Sequence, residues 1–354
     1  MAYTTIDDPT TFFNTVLYSG TGSNQSVTGT GFTADWIWLK ERNGTDYHFV
    51  NDSVRGKGSN NHYLNLHPNA TSAESDQTTG VNAINSNGFD ITYRGELNES
   101  GKNYVAWNWK AGGSASSNSN GSITSTVSAN TTAGFSIVSY TGTGSNATVG
   151  HGLGVAPKWY ITKNRDTADN WLVYHENIGN TKGAFLNLNN APGTSSAYWN
   201  NTSPTSTVFS VGTEVPMNKS GDDIIAYCFA EKKGYSKFGS YTGNNNTDGS
   251  MIFTGFKPAW VMVKSTTSTD HWRMHDNKRI SSSGTAPLYP HLNNAEPSAN
   301  FSFDLLSNGF KWRNQDGDAN GSHTYIYMAF AESPFVNSNG VPNNARWLCS
   351  YLLT

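Results

Sequence analysis

At 354 residues the chain is long enough for two or three domains that each bury a core, so one giant domain is not the expectation. Charged residues make up 14% and aromatics 13%, with Asn, Ser, Thr and Gly filling the polar positions, a mixture that favours strands and turns over long helices. A net charge of −3 offers no basic field to a polyanion, which argues against nucleic acid as a partner.

The chain opens on Met1-Ala2-Tyr3-Thr4-Thr5-Ile6-Asp7-Asp8-Pro9, with neither the basic nor the apolar region of a signal peptide, so no export signal is expected. No apolar run approaches the ~18 residues of a membrane helix, so no membrane insertion is expected either. Residues 1–17, with Phe12-Phe13, read as an arm that docks on another subunit. Beyond it, one pattern recurs three times: Ala34-Asp35-Trp36-Ile37-Trp38-Leu39-Lys40, Pro157-Lys158-Trp159-Tyr160-Ile161-Thr162-Lys163 and Pro258-Ala259-Trp260-Val261-Met262-Val263-Lys264. An Asp follows each Lys (Asp46, Asp169, Asp270), then His48, Trp171 and Trp272. Further anchors keep the register: Leu66, Leu188 and Leu292; Phe89, Phe209 and Phe310; and Trp109, Phe229 and Phe330.

The expected organisation is therefore a first repeat over 18–110, a flexible Gly/Ser/Asn linker over 111–134, a second repeat over 135–233 and a third over 234–335. A tail over 336–354 follows, ending in the apolar Arg346-Trp347-Leu348-Cys349-Ser350-Tyr351-Leu352-Leu353-Thr354. A free apolar strand is a hazard, so residues 345–354 are expected to add to a sheet edge or a neighbouring subunit. Within a repeat, Phe135-Ser136-Ile137-Val138-Ser139-Tyr140 alternates as a half-buried strand does, whereas Trp36–Leu39 and Ile224–Phe229 are apolar at successive positions, as in strands covered on both faces. The expected fold is all-β, three tandem β-sandwiches of jelly-roll, concanavalin or SPRY-like kind, with an immunoglobulin-type Greek key as the alternative. Cys228, inside an apolar run, reads as a small buried hydrophobe, and two cysteines are too few for a disulfide framework.

The N-terminal nonapeptide, Gly31-Phe32-Thr33-Ala34-Asp35-Trp36-Ile37-Trp38-Leu39-Lys40 and Asn103-Tyr104-Val105-Ala106-Trp107-Asn108-Trp109-Lys110-Ala111-Gly112 resemble the repeat-built structural proteins of marine tailed phages, tail-fibre-like or lectin-like. The resemblance implies a virion protein, a fibre or appendage subunit acting as spacer and adhesin for host-surface glycans, with capsid decoration as a second role. It further implies self-association and contacts to other virion proteins through residues 1–17 and 345–354. The second and third copies depart from Trp107-Asn108-Trp109, reading Tyr227-Cys228-Phe229 and Met328-Ala329-Phe330, which suggests packing rather than recognition.

For chemistry, paired carboxylates on one strand, a phosphate loop and a Gly-x-Ser-x-Gly elbow are all missing, so no enzyme and no cofactor are expected, and a polysaccharide depolymerase stands as the enzymatic alternative. Asp316-Gly317-Asp318-Ala319-Asn320-Gly321 matches the first half of a calcium loop, but Tyr327 stands where the bidentate carboxylate belongs; a hairpin turn and a weak calcium site through Asp316, Asp318 and Asn320 both remain open. His271 and His275 on a strand would lie about 13 Å apart, too far to share zinc. Saccharides stack on aromatic rings beside neutral hydrogen-bonding groups, which makes Trp171, Tyr198, Trp199, Trp272 and Trp312 the glycan candidates, against the reading that they fill cores.

Overall fold

The computed structural model describes residues 4–281, 284–298 and 303–336. It is all-β, about 43% strand and 6% helix. The first repeat holds β1 (Phe13–Ser19), β2 (Gln25–Thr28), β3 (Trp36–Glu41), β4 (Phe49–Asp52), β5 (Gly80–Asn85), β6 (Gly88–Thr92) and β7 (Asn103–Trp109). The second holds β8 (Ser116–Asn118), β9 (Ser125–Asn130), β10 (Phe135–Thr141), β11 (Ala147–Gly150), β12 (Trp159–Asn164), β13 (Leu172–His175), β14 (Lys182–Phe185), β15 (Gly193–Thr194), β16 (Val208–Val211) and β17 (Asp223–Phe229). The third holds β18 (Ser236–Thr242), β19 (Met251–Phe253), β20 (Phe256–Ser265), β21 (Arg273–Asp276), β22 (Ile280–Ser281), β23 (Gly284–Thr285), β24 (Phe303–Leu306), β25 (Gly309–Trp312) and β26 (Thr324–Pro334).

Each repeat lays its last long strand between its first and third. The orders are β1-β7-β3-β4 in the first repeat, β10-β17-β12-β13 within the larger sheet of the second, and β18-β26-β20-β21 in the third. A smaller sheet faces each of these: β2-β6-β5, β11-β16 and β19-β25-β24. Each repeat is thus a larger antiparallel sheet set against a smaller one of two or three strands.

The continuous apolar strands have a specific cause. Ile37 and Leu39 of β3 face the core inside the first repeat, while Trp36 and Trp38 face the other way, into a core shared by all three repeats. The same split places Tyr160 inside the second repeat and Trp159 and Ile161 in the shared core. In the third, Val261 and Val263 face inward and Trp260 and Met262 face the shared core. The rings close on one another from all three sides. Trp36 stacks on Tyr227 at 4.6 Å, Phe229 meets Phe330 at 5.8 Å, and Trp109 meets Trp260 edge-on at 5.6 Å. Rings of this size remove about 150–250 Å² each from water, so the shared core is a principal source of stability. The repeats therefore form one body around a common core, rather than the independent string that tandem spacing suggests.

Three boundaries move. Residues 13–17, expected in the arm, belong to β1, registered Phe13 to Trp109 through Ser19 to Asn103. Residues 4–12 dock on the chain itself: Ile6 enters the shared core, Asp8 caps a short turn by accepting from Thr10 N–H at 3.0 Å, and Phe12 packs edge-on against Tyr235 of the third repeat. The expected linker 111–134 carries β8 and β9, which extend the sheet of the second repeat, β9 pairing with β10 from Phe135–Asn130 to Ser139–Thr126. Gly/Ser/Asn composition concealed the period-two alternation of Ile123, Ser125 and Val127, whose apolar members drop into the core of that repeat. The leucine anchors shift too: Leu66, Leu186 and Leu288 face the shared core, while Leu188 and Leu292 are half-buried. Of the expected tail, residues 337–354 lie outside the described residues.

Candidate functional site: joints between repeats and open grooves

The five aromatics singled out for glycan stacking are all buried, none more than 9% exposed. Trp199 packs edge-on against Tyr160 at 4.9 Å and donates its Nε1–H to Lys182 O at 2.7 Å. Tyr198 lies beside it, and Trp312 donates to the Tyr241 hydroxyl at 2.9 Å inside the third repeat. Their Asn and Asp neighbours serve the backbone instead: Asn187 Oδ1 accepts from Trp171 N–H, and Asn187 Nδ2 donates to Asn170 Oδ1. A ring with both faces packed cannot stack on a sugar, so these residues are structural.

The calcium-loop candidate is corrected in the same way. Asp316 caps the short helix Gly317–Asn320 by accepting from Asp318 N–H, and both carboxylates turn to the Arg273 guanidinium, Asp318 Oδ2 at 2.7 Å. Asn320 donates to Asn246 O and Asn314 O, each at 2.8 Å. An arginine thus holds the position a cation would take. Among the described residues no group of three or more His, Cys, Asp or Glu side chains is placed to hold a metal ion.

Asn98, Asn218 and Asn320 form a repeated device that residue patterns did not single out. Each is buried, and each accepts from the backbone of the Tyr-x-Gly turn of its own repeat: from Thr21 N–H and Thr143 N–H at 2.8 Å, and from Asn244 N–H at 3.3 Å. The recurrence of Asn just before the last strand of each copy was the available signal.

The repeated His48, Trp171 and Trp272 turn out to be links in a cycle. His48 accepts from Trp38 Nε1 on Nδ1, and its Nε2–H donates to Tyr289 O of the third repeat at 3.1 Å. Trp171 donates to His67 O of the first repeat at 3.0 Å, and Trp272 to Phe185 O of the second at 2.9 Å. A second cycle runs through the ends of β4, β13 and β21. The Tyr227 hydroxyl donates to Asp52 at 2.7 Å and Trp107 Nε1–H to Asp276 at 2.9 Å, whereas His175 Nε2–H donates to Tyr327 O at 3.3 Å.

Charge follows the same geometry at two of the three joints. Asp52 pairs with Arg55 and Asp276 with Arg279, all four side chains fully buried. Arg55 passes to Glu74 at 2.9 Å, and Glu74 crosses to Arg165 of the second repeat at 2.7 Å. Arg279 lies 3.7 Å from Glu296, which crosses to Arg42 of the first repeat at 2.7 Å. Burial pulls the Arg55 pKa down, but Asp52, Tyr227 and Glu74 more than reverse it, so the guanidinium stays charged. At the joint of the second and third repeats the network is replaced as a set: His175 and Ile178 stand for the Asp and Arg, and Thr266 for the receiving Arg. Since burying a lone charge costs more than burying none, replacement in concert is the arrangement physics permits. Lys40, Lys163 and Lys264, each held down to about 8 by burial, donate to backbone carbonyls, Lys163 to Thr71 O of the first repeat at 3.1 Å.

Buried histidines give these joints a pH response. Burial, with a smaller push from Lys158, lowers His175 to about 3, and burial beside His271 lowers His291 to about 3; His48 and His275 lie well below the ordinary value. The fold holds these rings neutral, while the unfolded chain takes up protons as pH falls through ~6.5. Stability is thus fully present above pH ~6.5 and lost between there and pH ~3, by about 1.4 kcal/mol per pH unit per fully titrating histidine. Melting temperatures measured from pH 7.5 to 4.5 are expected to fall below pH ~6.5, and His175→Gln to shallow that fall.

Two surface features remain open. A hollow of 240 Å³ on the outer sheet of the first repeat is lined by Asn24, Gln25, Ser26, Asn82, Asp90 and Thr92, beside the half-exposed Tyr93. A groove of 580 Å³ runs between β18 and β19, with Met251 and Phe253 on its rim at 44% and 56% exposure. Cys228 is buried, and burial pushes its thiol pKa up, so it is no nucleophile. Among the described residues no helix is long and apolar enough to cross a membrane.

Fold and joints together define a class: an all-β chain of three like repeats fused around one aromatic core, with buried ion pairs at two of its joints. Within that class the chain belongs to the family described as a domain of unknown function, DUF7483, which it matches over residues 8–334. No curated protein matches it.

Proposed function

We propose that the chain is a structural, non-catalytic component of a virus particle, a tail-fibre or appendage subunit that presents adhesive surface to host glycans. The observation that carries this reading is the fusion of three like repeats around one core, which makes a stiff body with a neutral Asn-, Ser- and Thr-rich exterior and buried ion pairs at two of its joints. The phage-like strands around Trp36 and Trp109 lend support. In this reading, glycan contact falls on the hollow lined by Asn24, Gln25, Asn82 and Asp90 beside Tyr93, where amides and a carboxylate face solvent next to a ring.

Capsid decoration is the second reading, favoured by the cyclic order of the joints, since a body with three like faces matches a threefold seat on a shell. Antibody labelling and reconstruction of purified particles decide between them: density on the tail or an appendage is expected, density on the shell selects decoration, and absence from particles overturns both. Incubation with host-surface polysaccharide is expected to release no new reducing ends.

A further inference from the structure

We propose that the groove between β18 and β19 is a strand-docking site whose occupant is this chain's own segment 345–354. The second repeat supplies the precedent. There the equivalent gap, between β10 and β11, is filled by the chain itself: β9 pairs along β10, Ile123 bridges to Val149 of β11, and Ser122 bonds to Thr148. Val127 of that insert pairs with Val138 and enters the core. In the third repeat the link from β17 to β18 spans only residues 230–235, too short for a hairpin of that kind, and β18 ends its sheet with no further strand beside it among the described residues.

The groove is shaped for an apolar strand. Gly239 stands where β10 has Val138, and the Tyr327 side chain lies over it, its hydroxyl 2.7 Å from where a Cβ would sit, so glycine and a cross-strand ring form the floor of the groove. Met251 and Phe253 form an apolar wall of a size that water does not favour. The path of the chain selects the occupant. Phe335 N–H reaches Gly255 O, two residues past Phe253, so the last described residues lie at one end of the groove. Residues 337–344, rich in Asn, Gly and Pro, can span about 27 Å, which covers the ~20 Å from Val336 back to the Ser236 end of β18, opposite Phe330, and lets the following segment run along β18 in the parallel sense. Side chains of a strand alternate, so that segment lays Leu348 and Leu352 against the wall, turns Cys349 to the face of Ser240, and offers backbone donors and acceptors to the open edge. Docking in cis would also blunt an edge that otherwise invites stacking between molecules.

Hydrogen exchange tests this on the full chain, a chain ending at residue 344, and full-length Phe253→Asp, which places a charge on the groove wall at an exposed position. In the full chain, the amides of β18 not bonded to β26 are expected to exchange about tenfold slower than in the truncated chain, equally at two concentrations about a hundredfold apart. Phe253→Asp is expected to reproduce the truncated pattern. Equal exchange in full and truncated chains overturns the proposal, and protection that grows with concentration overturns it in favour of a second copy's segment. Ser240→Cys with the native Cys349 gives an independent reading: an intrachain disulfide supports docking in cis, and disulfide-linked dimers contradict it.

Discussion

Arg55→Met is expected to lower the unfolding free energy by about 3–5 kcal/mol, because it leaves Asp52 charged in a fully buried site. Asp52 would keep only the Tyr227 hydroxyl and the N–H groups of Val54 and Arg55, and Glu74 would lose its second arginine at the crossing to Arg165. The second repeat indicates the compensating change. Asp52→His with Arg55→Ile copies His175 and Ile178, removes both charges together, and is expected to recover most of the loss. Denaturant titration of the two variants measures the difference. If the single variant unfolded at the wild-type midpoint, the buried pair would contribute nothing to the joint.

Trp36→Ala is the second large effect. Trp36 stacks on Tyr227, lies 4.5 Å from Trp109 and 5.8 Å from Phe135, and so touches its own sheet and that of the next repeat. Truncating a fully enclosed indole costs about 3–5 kcal/mol through lost transfer free energy and the cavity left behind. Because the cavity opens in the shared core, the loss is expected to shift the unfolding of the whole chain. A melt in which only one repeat unfolds early, leaving the other two unchanged, would show instead that the repeats are thermodynamically separate.

The strands were readable in the residues for a plain reason: Trp36–Leu39 and Phe135–Tyr140 carry patterns set by burial on two faces or one, and burial is a local signal. What covered the second face was not local. Trp36 and Trp38 announce a buried side but not that Tyr227, far along the chain, lies against it. Trp171 and Trp272 misled as sugar platforms because their Asn neighbours, which resemble a binding rim, satisfy backbone groups in the turns. Asp316 and Asp318 resembled calcium ligands until Arg273, brought from another strand, took both carboxylates. Residues 111–134 carry a linker's composition because Gly, Ser and Asn mask a strand whose stability comes from the edge it completes. The Asp-x-x-Arg pairs at 52–55 and 276–279 were present as a repeat, and their joint absence at His175 and Ile178 was the clearest unread sign of buried joints.

A fused body and a string of spacers would serve a particle differently, the first as a rigid head and the second as a reach-extending stalk. Small-angle scattering from the purified chain separates them most directly. A single compact body of this length has a radius of gyration of about 20 Å, and that value is the expected result. Three separate domains of about 13 Å each, set end to end, would give about 28 Å, and a measurement near that figure would contradict the shared core.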